Sequence, residues 1–142
     1  MDAVQILTKY LRQAVKSSSE EIAEHARTHH GFTSRTGNLE RSVTSLQSSD
    51  GLRGFVTIDR TTAPYGVYVH QGFKPFVIVP RHKKALRWVG RDGKFMFAKR
   101  VRHTGYKGDP FLFNALDAKR GYVDKVFDNR IEAAMSEIVK GL

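Results

Sequence analysis

The chain has 142 residues, of which 40% are hydrophobic, 27% charged and 11% aromatic, the mix of one globular domain of ordinary size. It has no run of about 18 apolar residues of the kind a membrane-spanning helix needs, its start MDAVQILTKYLRQAV lacks the basic n-region and uniform apolar h-region of a signal peptide, and it contains no cysteine. The expectation is a soluble, cytoplasmic protein with no membrane contact and no disulfide, thiolate zinc site, iron–sulfur cluster or cysteine nucleophile.

The 24 Lys and Arg residues against 14 Asp and Glu give a net charge of +10, and its location matters more than its size. Between Lys74 and Gly108 stand eleven cations (Lys74, Arg81, Lys83, Lys84, Arg87, Arg91, Lys94, Lys99, Arg100, Arg102 and Lys107) and one acid, Asp92. Thirteen residues of each sign remain elsewhere, so this segment carries the whole excess. A neutral frame with one basic segment focuses positive potential and suits a polyanionic or acidic partner, where solubility alone would need no such concentration. The ten cations from Arg81 to Lys107 are therefore the candidate partner-binding residues.

From Asp2 to about His30 the apolar positions Val4, Leu7, Leu11, Ala14, Val15, Ile22 and Ala26 fall at helical spacing and predict a long amphipathic helix. Ser17-Ser18-Ser19 interrupts the stripe, with capping-box spacing to Glu20 and Glu21, so a kink or second start is expected there. Gly31 is placed to end the helix in a left-handed conformation. Residues 34–42 are polar with room for a helical turn, and then the period changes to two. Val43 to Gln47, the turn Ser48-Ser49-Asp50-Gly51 and Leu52 to Ile58 predict a β-hairpin. Tyr65 to Gly72 is either a short strand or one helical turn, a choice composition leaves open. Phe76 to Val79 predicts a buried strand ending at Pro80, and Ala85 to Val89 with Lys94 to Val101 predicts a second hairpin whose Asp92-Gly93 pair suits a primed turn. Asp109 before Pro110 predicts a helix start, with Gly121 stopping or bending the helix. Val123, Val126, Phe127, Ile131, Ala134, Met135, Ile138 and Val139 then form the apolar face of a last helix. This order predicts an α+β domain over residues 1–142: an antiparallel sheet, a long N-terminal helix and C-terminal helices on one face, and a projecting basic hairpin.

His25 and His29 have the i, i+4 spacing that puts two imidazoles on one helix face, but a zincin helix needs Glu directly after the first His, and Ala26 stands there. A surface or capping role is expected for both, and His70 and His103 have no ligand-like neighbour in sequence. There is no G-x-S-x-G or S-x-x-K nucleophile motif, and Gly105-Tyr106-Lys107-Gly108 lacks the length and Lys-Ser/Thr ending of a phosphate loop. The basic segment holds no pair of acids that could bind Mg²⁺ for a nuclease. No catalysis, cofactor or metal is expected. Cations interleaved with aromatics, as in Arg87-Trp88, Lys94-Phe95 and Lys99-Arg100, have the composition of a single-strand nucleic-acid platform. They equally have the composition of a half-buried hairpin with aromatics on one face and charge on the other.

Four fragments in order carry a resemblance: Arg35-Thr36-Gly37-Asn38-Leu39 to Ser42; Ala63-Pro64-Tyr65 to Gly72 (APYGVYVHQG); Ile78-Val79-Pro80 with Lys83-Lys84-Ala85-Leu86; and Val101-Arg102-His103 to Pro110-Phe111-Leu112 with Asn114-Ala115-Leu116. Together they resemble the neck and tail-completion (head-tail joining, minor tail component) proteins of long-tailed bacteriophages, which read T-G-x-L-x-x-S, Y-x-x-Y-V-x-x-G, H-P-G and P-F-L-x-x-A-L. The match covers about residues 34 to 117; Thr104 stands where the family commonly has proline. The resemblance implies a non-enzymatic virion protein, assembled in the host cytoplasm into a ring, possible as a hexamer, at the neck or tail end. Its partners would be copies of itself and neighbouring neck and tail-tube proteins, with contact to passing DNA. The alternative from charge alone is a small basic nucleic-acid-binding module. The Thr36–Leu39 and Tyr65–Gly72 elements are expected to shape the subunit, with Leu39, Tyr65 and Tyr68 as anchors and Gly37 and Gly72 as positions without room for a side chain.

Overall fold

A computed structural model describes residues 1–82 and 84–142. Helix α1 (Ala3–Thr28) opens in a capping box in which the Asp2 carboxylate accepts from the Gln5 amide at 2.8 Å and the Gln5 side chain accepts from the Asp2 amide at 2.9 Å. It then runs unbroken through the serine triplet, against the expected kink. Ser19 donates its hydroxyl to the Val15 carbonyl at 2.8 Å, which satisfies the polar group inside the helix, and Ser18 and Ser19 are buried. Their small size has a packing reason. Gly54 of the neighbouring hairpin lies against Ser19 and Val15, so closely that a Cβ on Gly54 would collide with the Ser19 hydroxyl. With Ala14, Ala23 and Ala26 also buried, α1 presents a smooth face on which a sheet can lie close. The helix ends at an extended His29, and Gly31 is not among the left-handed glycines, so the expected glycine cap is absent.

Helix α2 (Asn38–Ser42) follows a left-handed Gly37 and leads into β1 (Val43–Gln47), which pairs antiparallel with β2 (Gly54–Ile58) in the register Val43 to Ile58. Two arginines of α1 hold this hairpin: Arg12 donates to the Asp50 carbonyl at its turn, and Arg27 donates from Nη2 at 2.6 Å to the Val43 carbonyl. Tyr65 to Gly72 resolves as helix, α3 (Gly66–Gln71). Short strands β3 (Phe76–Ile78), β4 (Leu86–Val89), β5 (Phe95–Ala98) and β6 (Val101–His103) come next, then α4 (Phe111–Ala118) and α5 (Arg120–Lys140). The α+β architecture read from the sequence is thus present, with its antiparallel strands shared among three two-stranded sheets: β1–β2, β3–β6 and β4–β5.

The core joins α1, the β1–β2 sheet, α2 and α4 through Ile22, Ala23, Ala26, Leu39, Val43, Ala63, Phe111 and Ala115. Phe111, wholly buried, is the largest side chain in it, and Phe32 meets its ring edge-on at 5.0 Å. Leu39 is buried as expected, whereas Tyr65 and Tyr68 are exposed and anchor nothing. Asp109 also departs from expectation. Helix α4 starts at Phe111 without a side-chain cap, and the Asp109 carboxylate reaches instead to the loop after α1, accepting from the Gly31 amide at 2.7 Å and the Phe32 amide at 3.0 Å. The break between α4 and α5 falls at Lys119, two residues before Gly121, which has open space around it. Lys119 pairs with Glu21 at 2.9 Å, and Lys9 with Glu137 at 3.4 Å, fastening α1 to the C-terminal helices at both ends.

Candidate interaction arm

Residues 73–107 leave the body as an arm. At its base Phe73 and Tyr106 exchange both backbone hydrogen bonds, at 2.8 and 2.9 Å. Gly72 enters the arm at φ 78° and ψ −178°, a region open essentially to glycine alone, and a Cβ there would stand 2.7 Å from the Lys107 carbonyl. Gly105 and Gly108 face it across the gap, each with opposing backbone 2.7 Å from where a side chain would begin. The two chains therefore cross at the base with no room for side chains. Just above, Phe73 lies 5.3 Å from the His103 ring, and Phe76 stacks on His103 at 5.2 Å as the first pair of the β3–β6 ladder.

The β4–β5 hairpin is the far end. Its turn is closed by the Gly93 amide donating to the Gly90 carbonyl at 3.1 Å and the Gly90 amide donating to the Lys94 carbonyl at 2.8 Å. Only Gly93 is left-handed, so this is a type I turn with a glycine bulge rather than the primed turn expected from Asp92-Gly93. The register Arg87 to Phe97 and Trp88 to Met96 puts Leu86, Trp88, Met96 and Ala98 on one face and Arg87, Val89, Phe95 and Phe97 on the other. Neither face is covered: Trp88 is 41% exposed, Val89 61% and Phe97 66%. The half-buried hairpin is ruled out by this pattern, and the buried strand expected at Phe76 to Val79 is exposed throughout, because among the described residues β3 pairs only with β6.

Arg81 and Lys84 lie in the connection from β3 to β4, Arg87 in β4, Arg91 at the turn, and Lys94 just before β5. Lys99 and Arg100 link β5 to β6, Arg102 is in β6, and Lys107 is at the base. All nine are exposed; Lys83 lies outside the described residues. They are strung along the arm rather than gathered at one point, and none of the five ion pairs among the described residues involves them. Arg87 instead stacks over the Phe95 ring at 4.6 Å, a cation–π contact on the second face.

The histidines provide no comparable site. His25 and His29 stack in parallel 4.0 Å apart, and burial followed by the His29 charge lowers the His25 pKa. Among the described residues no three His, Asp or Glu side chains come together as a metal cage. A groove of about 680 Å³ runs between residues 31–40, Tyr65, Val69 and the arm base. Inside it Glu40 accepts from His30 Nε2 at 3.1 Å. Burial raises the Glu40 carboxyl, but the Ser34 side chain, its own amide and the His30 and Arg41 charges together hold it below its usual value.

Sequence reasoning put eight residues on the apolar face of the last helix, and of these Ile131, Met135 and Val139 are exposed, Met135 by 50% and Val139 by 62%. The signal was in the wheel. At 100° per residue the eight apolar positions from Val123 to Val139 span about 220°, more than one neighbouring helix covers. No protein-family model matches this chain, and comparison with curated proteins and solved structures gives no match.

Proposed function

We propose that this protein is a structural subunit of a tailed-phage particle, assembling with copies of itself head to tail into a ring at the neck or tail end. The observation that carries the reading is the surface. The chain exposes 10,657 Å², where a compact monomer of 16.1 kDa exposes about 7,400 Å². That is an excess of roughly 3,200 Å², and the exposed apolar residues include those of an arm with aromatics uncovered on both faces. Heterologous contacts between an arm and a different surface close into rings, and a ring subunit needs no reacting groups. The motifs of the tail-completion family add to this: Gly37, Leu39, Gly72 and Phe111 fall on the turn, core and arm-base positions that shape the body. Imaging of the particle tests the reading, with density for this chain expected in a ring at the neck or tail end; particles that lack the chain there would refute it.

The nucleic-acid-binding alternative is favoured by one observation, the arm cations that among the described residues are exposed and without an ion-pair partner, set among exposed aromatics. It predicts binding to single-stranded DNA whose affinity falls steeply with salt. Retention of that binding by a variant with Lys84, Arg91 and Lys94 changed to Glu would eliminate it.

A further inference from the structure

We infer that the arm of one copy docks on the outward face of α5 in a second copy. This deepens the proposed function and rests on its head-to-tail assembly; it names the two surfaces that meet. On α5, Asp124, Asp128 and Glu132 follow one another at i, i+4, and Ile131, Met135 and Val139 run beside them within the same arc of about 100°. All six are exposed, and none of the three acids has an ion-pair partner among the described residues. Like charges at this spacing repel along the helix, and on the same helix Arg120 is paired with Asp117 and Lys125 is within ion-pair distance of none of the three acids, so cations brought from outside would relieve the acid line.

The arm has the complementary properties. It is apolar on both faces of β4–β5, cationic at its turn and edges, and its strands pack chiefly on one another. Nucleic acid would be repelled by the α5 acids, and a neutral apolar protein would leave them uncompensated. A second copy of this chain supplies both the cations and the apolar surface. The two surfaces differ, so each copy gives an arm and receives one, the heterologous geometry that rings require. Area permits it. Two contacts at about 800 Å² per partner need about 1,600 Å² of each subunit, within the excess surface described above.

The absence of cysteine makes the test direct. Full-length Phe95→Cys and Met135→Cys chains are mixed under mild oxidation and resolved without reductant. A disulfide dimer between them is expected, and none between Phe95→Cys and Lys16→Cys, which places a thiol on an exposed position of α1. Changing Asp124, Asp128 and Glu132 to Lys in the Met135→Cys chain should abolish the dimer. Pairing that chain with a Phe95→Cys arm carrying Lys84→Glu, Arg91→Glu and Lys94→Glu should restore it, a recovery that misfolding cannot produce. Equal linkage to Lys16→Cys, arm-to-arm linkage as the main product, or failure of the charge swap overturns the inference. The dimer without the chain in phage particles upholds the contact and removes the phage role; a ring in the particle without the dimer does the reverse.

Discussion

Substituting Gly72 by alanine should free the arm while leaving the body folded. The backbone at φ 78°, ψ −178° costs a side-chain-bearing residue about 1–3 kcal/mol. The added Cβ also meets the Tyr106 and Lys107 backbone, which has no rotamer to yield. The two chains must part, and with them go the paired bonds between Phe73 and Tyr106 and the bond from the Asp109 amide to the Val69 carbonyl, each worth about 1 kcal/mol net. The sum is about 4–6 kcal/mol. No arm residue belongs to the core cluster, so the cost falls on local opening rather than on global unfolding. Hydrogen exchange reads it directly: protection of the Phe73 and Tyr106 amides should drop by about 10²-fold or more, at 1.4 kcal/mol per tenfold, while amides in α1 and β1 keep theirs. Protection at Phe73 and Tyr106 within about tenfold of wild type, or its collapse in body and arm together, would refute the argument.

Gly54→Ala should destabilise by about 1–3 kcal/mol through overpacking against α1, and Ser19→Ala in the same chain should recover most of that loss by removing the colliding hydroxyl; denaturant titration of the four-variant cycle measures the coupling, and simple additivity would show that the clash is relieved elsewhere. Leu39→Ala, at a side chain only 4% exposed, should cost about 2–5 kcal/mol, and an unchanged melting temperature would place Leu39 outside the core. His70 has its Nε2 buried without a partner between the Phe111 and Phe113 rings, and burial, partly opposed by the Asp109 charge, lowers its pKa from the usual 6.5. A depressed histidine contributes stability that is complete above that usual value and is lost as pH falls through the lowered one. Melting temperature should therefore decline on mild acidification, and less so in His70→Phe; equal declines would mean that another group titrates. Glu137, held below its usual 4.5 first by the Tyr10 hydroxyl, acts only at lower pH and does not confuse the reading.

Elements whose stability is local were legible in the sequence. The amphipathic α1 and the β1–β2 hairpin between turn residues follow from spacing and propensity alone. Readings that depended on a distant neighbour were not legible. Asp109 looks like a helix cap until the Gly31 and Phe32 amides arrive from 78 and 77 residues away. The serine triplet looks like a break until Gly54 is laid on it. Phe76 to Val79 reads as buried because sequence records that a residue is apolar, not whether the chain supplies anything to cover it. The basic segment was located by charge alone. What charge could not show is that its aromatics take both faces of the ribbon, which follows from the register Arg87 to Phe97 and the absence of a third strand.

The crossing at the arm base also determines how the subunit carries mechanical load. Tension applied at the Gly90–Gly93 turn draws both strands in the same direction, so the cross-strand bonds of the arm bear little shear. The force arrives at the base on two chains at once. One continues into α3, where the Gly72 amide is bonded to the Tyr68 carbonyl at 2.7 Å; the other reaches Asp109, whose amide holds the Val69 carbonyl at 2.8 Å and whose carboxylate holds the loop after α1. Both routes converge on α3, and the second passes on to the end of α1 and the start of α4 within three residues. A pull on the tip is thus divided among three helices before it reaches Phe111, and the attachment yields only when several short bonds fail together.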